Sequence, residues 1–279
     1  ASNVILTGSG PRMALSGSEY DNADIETQLI HWKLALNEVK ARLADGTLRT
    51  LVEQQSLNSP KLVEHLRYHD KLTRANDEVG LSHVPSGTIL HCNSHTSLNN
   101  PIVTKWVDFM SHHYHTPIGL DQVLLLLPCS ARKPYRMSKS HRKFLDVIGT
   151  TAFHEVMVTS PLGLVPRDLE ETWPASHYDI PVTGEWSRDE IHRTQSMLIS
   201  LISRLKYHTI INHSSMSFDV EGITYYETRN GLTATSRQAL DQLRNTVTEV
   251  MQNHQFRNRK HHNILLDNFS SIARYKMNN

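Results

Sequence analysis

Cys129 is the residue in this sequence with the strongest chemical setting. Four leucines, Leu124–Leu127, run into Pro128 and Cys129. Arg132, Lys133, Arg136, Lys139, Arg142 and Lys143 follow, with no acid before Asp146. A continuous apolar run stopped by proline reads as a strand buried on both faces, which puts the thiol at the strand's carboxyl end. The thiolate is the nucleophile, and cations or a helix N-terminus favour it over the thiol. A helix starting at Ser138 would supply that N-terminus, and His141 a proton carrier. A plainer reading fits the same residues: Cys129 as a small core side chain and the basic run as a solvated helix face. Basic residues without interleaved acids nevertheless suit an anionic ligand, phosphate or nucleic acid.

A second stretch, residues 159–186, reads as a long loop between two strands, with four prolines and two glycines. Long structured loops in compact domains usually carry function. Trp173, His177, Tyr178 and Trp186 are available to stack on a base. A stiff surface loop packed by its own side chains is the alternative.

These segments need a scaffold to hold them. Residues 24–45 have apolar side chains at helical spacing (Ile25, Leu29, Trp32, Leu36, Val39, Leu43), with Asp24 at the cap and Gly46 past the end. Two more helices follow, Leu48–Glu53 and Lys61–Leu72. Residues 73–100 are polar and read as a linker, and a short helix begins at Pro101. From Thr116 the pattern alternates. Strands are expected at 122–130, 154–161, 178–184, 208–214 and 222–228, with helices at 138–149, 188–206 and 236–252. That alternation predicts an α/β fold, three layers with a mostly parallel sheet covered on both faces. The expected divisions are a helical segment over 1–75, a linker and short helix over 76–115, an α/β core over 116–255 and a basic segment over 256–279. Ligands bind such sheets at the carboxyl ends of the strands.

Composition narrows the field. The chain has 279 residues, 29 basic and 28 acidic, so attraction for an anion must come from local patches. No apolar run reaches membrane-span length, and the polar first twenty residues do not read as a signal peptide. The opening "ASNVILTGSG" reads as cut from something longer. Two cysteines, Cys92 and Cys129, argue against a disulfide framework and fit a reducing, cytoplasmic setting. The 18 histidines are scattered, without zinc-like spacing, so no metal and no cofactor are expected. Cys92, within "HCNSH", reads as a loop residue.

The segment "PCSARKPYRMSKSH" (128–141) matches the signature P-C-x3-K-P-Y-x2-S-x2-H through Pro128, Cys129, Lys133, Pro134, Tyr135, Ser138 and His141. The chain thereby resembles the archaeosine synthase family, archaeal paralogues of tRNA-guanine transglycosylase. Residues 158–186 are similar to that family's second block, and residues 43–70 to the helical tail of its transglycosylase-type domain. The resemblance implies a uracil-DNA-glycosylase-like α/β/α core. It implies a substrate, tRNA carrying 7-cyano-7-deazaguanine at position 15, and addition of a nitrogen donor, free lysine, to the nitrile. It implies a radical-SAM partner subunit, and transglycosylase-type and PUA domains that are missing here, unless residues 256–262 lead into the latter.

Under this resemblance the catalytic candidates are Cys129, Lys133, Tyr135, Ser138 and His141. Ser138 also fits a helix cap. Expected substrate contacts are Pro128, Ser130, Ser160, Pro161, Gly163, Arg167, His177, Tyr178, Asp179, Thr183 and Gly184. Arg167 would clamp a carboxylate, and Asp168, Glu170 and Asp179 would hold the substrate lysine's charge or the deazaguanine edge. Arg132, Arg136, Lys139, Arg142 and Lys143 are the expected RNA contacts. Two routes stay open: thiolate addition giving a thioimidate that the amine displaces, or direct attack of the amine with Cys129 lining the pocket. Two rival readings stand beside them. One is a non-catalytic tRNA-binding or scaffolding module. The other is a glycosylase- or hydrolase-like enzyme, which needs an acid or amide to activate water near a flipped base, and the signature lacks one.

Overall fold

The computed structural model describes residues 25–57, 59–75, 84–85, 87–149, 152–180 and 184–253. They fall into two compact units, within residues 1–104 and 105–279.

The first unit holds the three expected helices, α1 (Ile25–Ala44), α2 (Leu48–Ser56) and α3 (Pro60–Ala75). Val39, Leu51, Val52, Leu62 and Leu66 form their shared core. Gly46, at φ +71°, ends α1, and a Cβ there would lie 2.7 Å from Pro85 Cδ. A buried ion cluster braces the turn: Arg49 donates to Glu53 at 2.7 Å and to Asp70 at 3.0 Å. The apolar stripe of α1 is wider than the part that is buried. Val39 is covered, whereas Leu29, Leu36 and Leu43, seven residues apart, are exposed. Cys92 lies in a loop, as expected, and is buried there.

Helix α4 (Pro101–Asp108) starts within the first unit's residues and runs into one π turn, Phe109–His113, in the second. Arg204 satisfies the carbonyls that the turn leaves over, donating to Met110, Ser111 and Tyr114 at 2.9–3.0 Å. The sheet has five strands: β1 (Val123–Pro128), β2 (His154–Thr159), β3 (Gly163–Pro166), β4 (Thr209–Asn212) and β5 (Thr224–Glu227). Their spatial order is β3-β2-β1-β4-β5, parallel except for the antiparallel β2–β3 pair. Leu124 to Leu127 have no exposed surface, and β2 is buried along its whole length. Each such leucine contributes roughly 1.5–3 kcal/mol by leaving water. Helices α5 (Lys139–Ile148) and α7 (Arg237–Asn253) pack together, while α6 (Arg188–Leu205) packs on the π turn and β3. With β1 and β2 buried on both faces, this is the expected mostly parallel α/β arrangement.

The 159–186 stretch departs from its reading as a loop. "GLVP" folds back as edge strand β3, because Gly163 takes φ +74° to reverse the chain. A Cβ at Gly163 would sit 2.3 Å from Met197 Sδ, so any other residue must push the Met197 side chain aside and strain the backbone. Of the strand expected over 178–184, Tyr178–Asp179 forms a strand, outside the five-stranded sheet, and residues 181–183 lie outside the described residues. Ser138 caps α5, its Oγ accepting the His141 N–H at 3.1 Å, and Gly149 ends that helix at φ +60°. Ser187 and Glu190 form a capping box on α6.

Candidate functional site

The carboxyl ends of β1 and β2 bring together Cys129, Lys133, Tyr135, Thr159 and Tyr178. Cys129 follows β1, and Thr159 closes β2 one strand away. The chain after Cys129 folds through the turn Tyr135–Met137, which buries the Tyr135 ring completely. Tyr135 donates its hydroxyl proton to Thr159 Oγ1 at 3.2 Å. Thr159 Oγ1 lies 2.6 Å from the Tyr178 hydroxyl, which also contacts the Tyr135 hydroxyl. Lys133 Nζ stands 4.1 Å above the centre of the Tyr178 ring, a cation–π distance. Five side chains from three separate segments therefore converge.

The electrostatics differ from a thiolate site. Burial pushes the Cys129 thiol above its ordinary value; the Lys133 charge and the Thr159 hydroxyl oppose that and do not overcome it. Burial likewise raises Tyr135 and Tyr178, so both phenols stay protonated at neutral pH. The cluster is a set of neutral O–H and S–H groups with one ammonium at its lip.

His141 is a strut in this arrangement. It is fully buried on α5, and its Nε2 donates to the Pro128 carbonyl at 2.9 Å. Its Nδ1 accepts from Arg167 Nη2 at 3.1 Å. Burial, then the Arg167 charge, pull its pKa down to about 3. With both nitrogens committed and the ring neutral, it fixes the peptide before Cys129 and has no nitrogen left to carry a proton to the thiol.

Other predicted residues are distributed as follows. Arg167 donates to Glu155 (2.8 Å) and Glu170 (2.9 Å), and Arg136 binds Glu170 through its backbone N–H (3.0 Å) and side chain (2.5 Å). Glu170 is wholly buried between the two guanidiniums. Arg167 is thus committed internally instead of waiting for a substrate carboxylate, and Arg136 is tied down as well. Asp168 accepts from Tyr114 at 2.9 Å, at the opposite edge of the sheet. Ser130 Oγ donates to the Arg132 carbonyl (3.0 Å), and Ser160 Oγ to Glu190. Pro161 and Gly163 are buried in the fold. His177, Asp179 and Gly184 are exposed, with His177 Nδ1 2.6 Å from Ser176 Oγ. Thr183, with Pro181 and residues 256–279, lies outside the described residues. Arg132, Lys139, Arg142 and Lys143 are exposed, and none makes an ion pair among the described residues. Among those residues, no group of three or more His, Cys, Asp or Glu side chains is placed to hold a metal.

Thr159 was missed by sequence reading. It is the hub of the hydroxyl cluster, and its only signal was its place at the end of an expected strand.

A family model described as "Domain of unknown function (DUF5591)" matches residues 103–247, more than half of the chain and all five strands. The chain belongs to the DUF5591 family. Curated proteins resemble it over a wider span. "Archaeosine synthase subunit alpha" of Thermoplasma acidophilum is 36% identical over 222 residues, 77% of this chain and 42% of that protein. The protein of the same name from Methanosarcina acetivorans is 35% identical over 230 residues, 78% and 36%. "Archaeosine synthase" of Haloferax volcanii is 36% identical over 195 residues, 69% and 32%. These relatives bear out the resemblance read from the sequence. The chain spans less than half the length of each. The crystal structure of AF0587, a protein of unknown function, aligns at a TM-score of 0.40 and 22% identity over 51% of this chain and 49% of that one, too weak a likeness to inform the fold. The DUF5591 match includes the whole Cys129–Tyr178 cluster. No helix among the described residues is long and apolar enough to cross a membrane.

Proposed function

We propose that this chain carries the nitrile-modifying centre of a tRNA-modifying enzyme of archaeosine biosynthesis, which adds lysine to 7-cyano-7-deazaguanine held in tRNA. Curated relatives named archaeosine synthase support the biosynthetic role. The observation that carries the chemistry is the group of Cys129, Lys133, Tyr135, Thr159 and Tyr178 at the strand ends.

Adding an amine to a nitrile forms a C–N bond and opens one π bond of C≡N. The amine nitrogen loses a proton, the nitrile nitrogen gains one, and the product is an amidine. Tyr135, Thr159 and Tyr178, linked by hydrogen bonds and held protonated by burial, offer a path for that proton. Lys133 at the lip opposes the negative charge growing on the nitrile nitrogen and disfavours a second ammonium beside it, so the incoming amine loses its proton more easily. The raised thiol favours direct attack, with Cys129 lining the pocket. In the covalent alternative, the S–H adds across C≡N to give a thioimidate, and the amine then expels the thiol. Arg132, Lys139, Arg142 and Lys143 supply the basic surface for the phosphate backbone. The radical-SAM subunit and the transglycosylase-type and PUA regions act with it, on the same chain or another.

A second reading, a tRNA-binding module without chemistry, is favoured by one observation: His141 and Arg167, two groups expected to handle protons and carboxylates, are bound to each other. One assay separates the two readings. The chain is incubated with tRNA carrying the nitrile base and isotope-labelled lysine, and the nucleosides are weighed by mass spectrometry. A nucleoside heavier by one lysine supports the enzyme; bound but unchanged tRNA supports the module. Cys129→Ala retains adduct formation on the direct route and abolishes it on the covalent one.

A further inference from the structure

A second loop borders the strand ends beside Cys129. The chain leaves β1 for β2 on one side and returns to β4 on the other, so strand order reverses at β1 and β4. In such sheets ligands enter where the order reverses, outside the carboxyl ends. One lip there is residues 129–136. The other is residues 213–217, which follow β4.

Contacts from three directions fix this second lip. His213 N–H donates to the Leu126 carbonyl at 2.8 Å, tying the start of the loop to β1. The His213 ring meets Phe144 edge-on at 5.2 Å, and Phe144 meets His141, the strut under Pro128, also at 5.2 Å. Asn212 Nδ2 donates to the Met216 carbonyl at 2.9 Å, and Gln195 Nε2, from α6, to the Ser217 carbonyl at 2.6 Å. Ser215 is exposed and held at φ +67°, a conformation that non-glycine residues keep only when their surroundings enforce it. Arg229 enforces it. Its Nη1 donates to the Ser214 carbonyl (3.1 Å) and to Ser215 Oγ (2.9 Å), and its Nε to the Leu232 carbonyl (2.9 Å). Glu227, two residues earlier, accepts from the Arg229 backbone N–H at 3.1 Å and the Tyr225 hydroxyl at 3.3 Å.

Two donors remain without a partner among the described residues: Arg229 Nη2 and the Ser215 backbone N–H. A guanidinium edge beside a backbone N–H in a positive-φ turn is a donor set that suits a phosphate oxygen. We infer that Arg229 and Ser215 form a second RNA contact, holding a phosphodiester next to the nucleotide whose base sits beside Cys129. The inference rests on the RNA reading above and adds a specific phosphate site to it, separate from the α5 face.

The test is equilibrium binding of the whole chain to tRNA over roughly 50–300 mM salt, comparing wild type, Arg229→Gln and Lys143→Gln. Arg229→Gln is expected to weaken binding roughly tenfold at the lowest salt. It should also reduce the slope of log affinity against log salt by about 0.7–0.9, one phosphate contact. An unchanged slope in Arg229→Gln, with a reduced one in Lys143→Gln, overturns the site and leaves the RNA reading standing. No binding by wild type at any salt overturns both. A measurement on wild type alone guards against misfolding of the variant. The chain is photocrosslinked to tRNA containing 4-thiouridine, and the crosslinked peptides are sequenced. Crosslinks within 207–236 are expected; crosslinks confined to 129–143 contradict the site.

Discussion

The two edges of the sheet carry similar groups to different ends. At the amino edge, Tyr207 donates to His154 Nδ1 (2.5 Å), His154 Nε2 donates to the Tyr114 hydroxyl (2.8 Å), and Tyr114 donates to Asp168 (2.9 Å). The ring of His154 lies between those of Tyr114 and Tyr207. All three rings are buried, and burial holds the His154 pKa at about 3. At the carboxyl edge, Tyr135, Thr159 and Tyr178 bond to one another in the same manner, but half-buried Cys129 and Lys133 border them. In the first cluster every proton has one place to go, which makes it a brace. In the second, a closed hydroxyl group ends at a thiol and an ammonium that solvent reaches. Burial and hydrogen bonding are common to both clusters, and what sets the carboxyl-edge one apart is its open side.

Substitutions on the two edges should separate in their effects, and the largest is expected at the carboxyl edge. Lys133→Met should lower adduct formation by on the order of 100-fold while leaving the melting temperature within a degree or two. Equal activity per folded molecule would remove Lys133 from the chemistry. His154→Phe should do the reverse. It leaves two buried tyrosine hydroxyls short of partners, costs about 2–4 kcal/mol in urea unfolding, and leaves the activity of folded protein unchanged.

The pH dependence of stability sharpens the comparison. His141 and His154 are held neutral near pKa 3 and His213 near 4, in each case chiefly by burial. Their folded pKa values lie below the unfolded value of about 6.5, so the unfolded chain binds more protons between those limits. Their contribution is fully present above about pH 6.5 and is lost as pH falls. Between pH 7 and 5 the loss should be roughly 1–2 kcal/mol per histidine. His154→Phe should remove one share of that dependence, measured as urea unfolding at several pH values. The smallest effect is expected from Ser138→Ala, which removes a helix cap. It should cost about 1 kcal/mol and change the adduct rate little.

Much of the scaffold was legible in the sequence. The apolar run at 124–127, the Ser138 cap and the helix spacing over 188–206 are local signals, and all appear in the structure. The charges were less legible, because their partners lie far along the chain. Arg136 reads as part of an unpartnered basic run, yet Glu170, 34 residues later, binds it. Arg167 reads as a clamp, yet Glu155, on the adjoining strand, binds it. Thr159 carries no signature of its own, and its importance comes from Tyr135 and Tyr178, 24 and 19 residues away. The "GLVP" strand was hidden among prolines that favour a loop reading.

Protection of the Cys129 thiol would show whether the nitrile base sits beside it. Cys92 is 4% exposed, so alkylation of the folded protein should fall on Cys129 alone. tRNA carrying 7-cyano-7-deazaguanine should slow iodoacetamide labelling of Cys129 well beyond the effect of the same tRNA carrying guanine. Equal labelling rates with both tRNAs, at concentrations where both are bound, would contradict that placement.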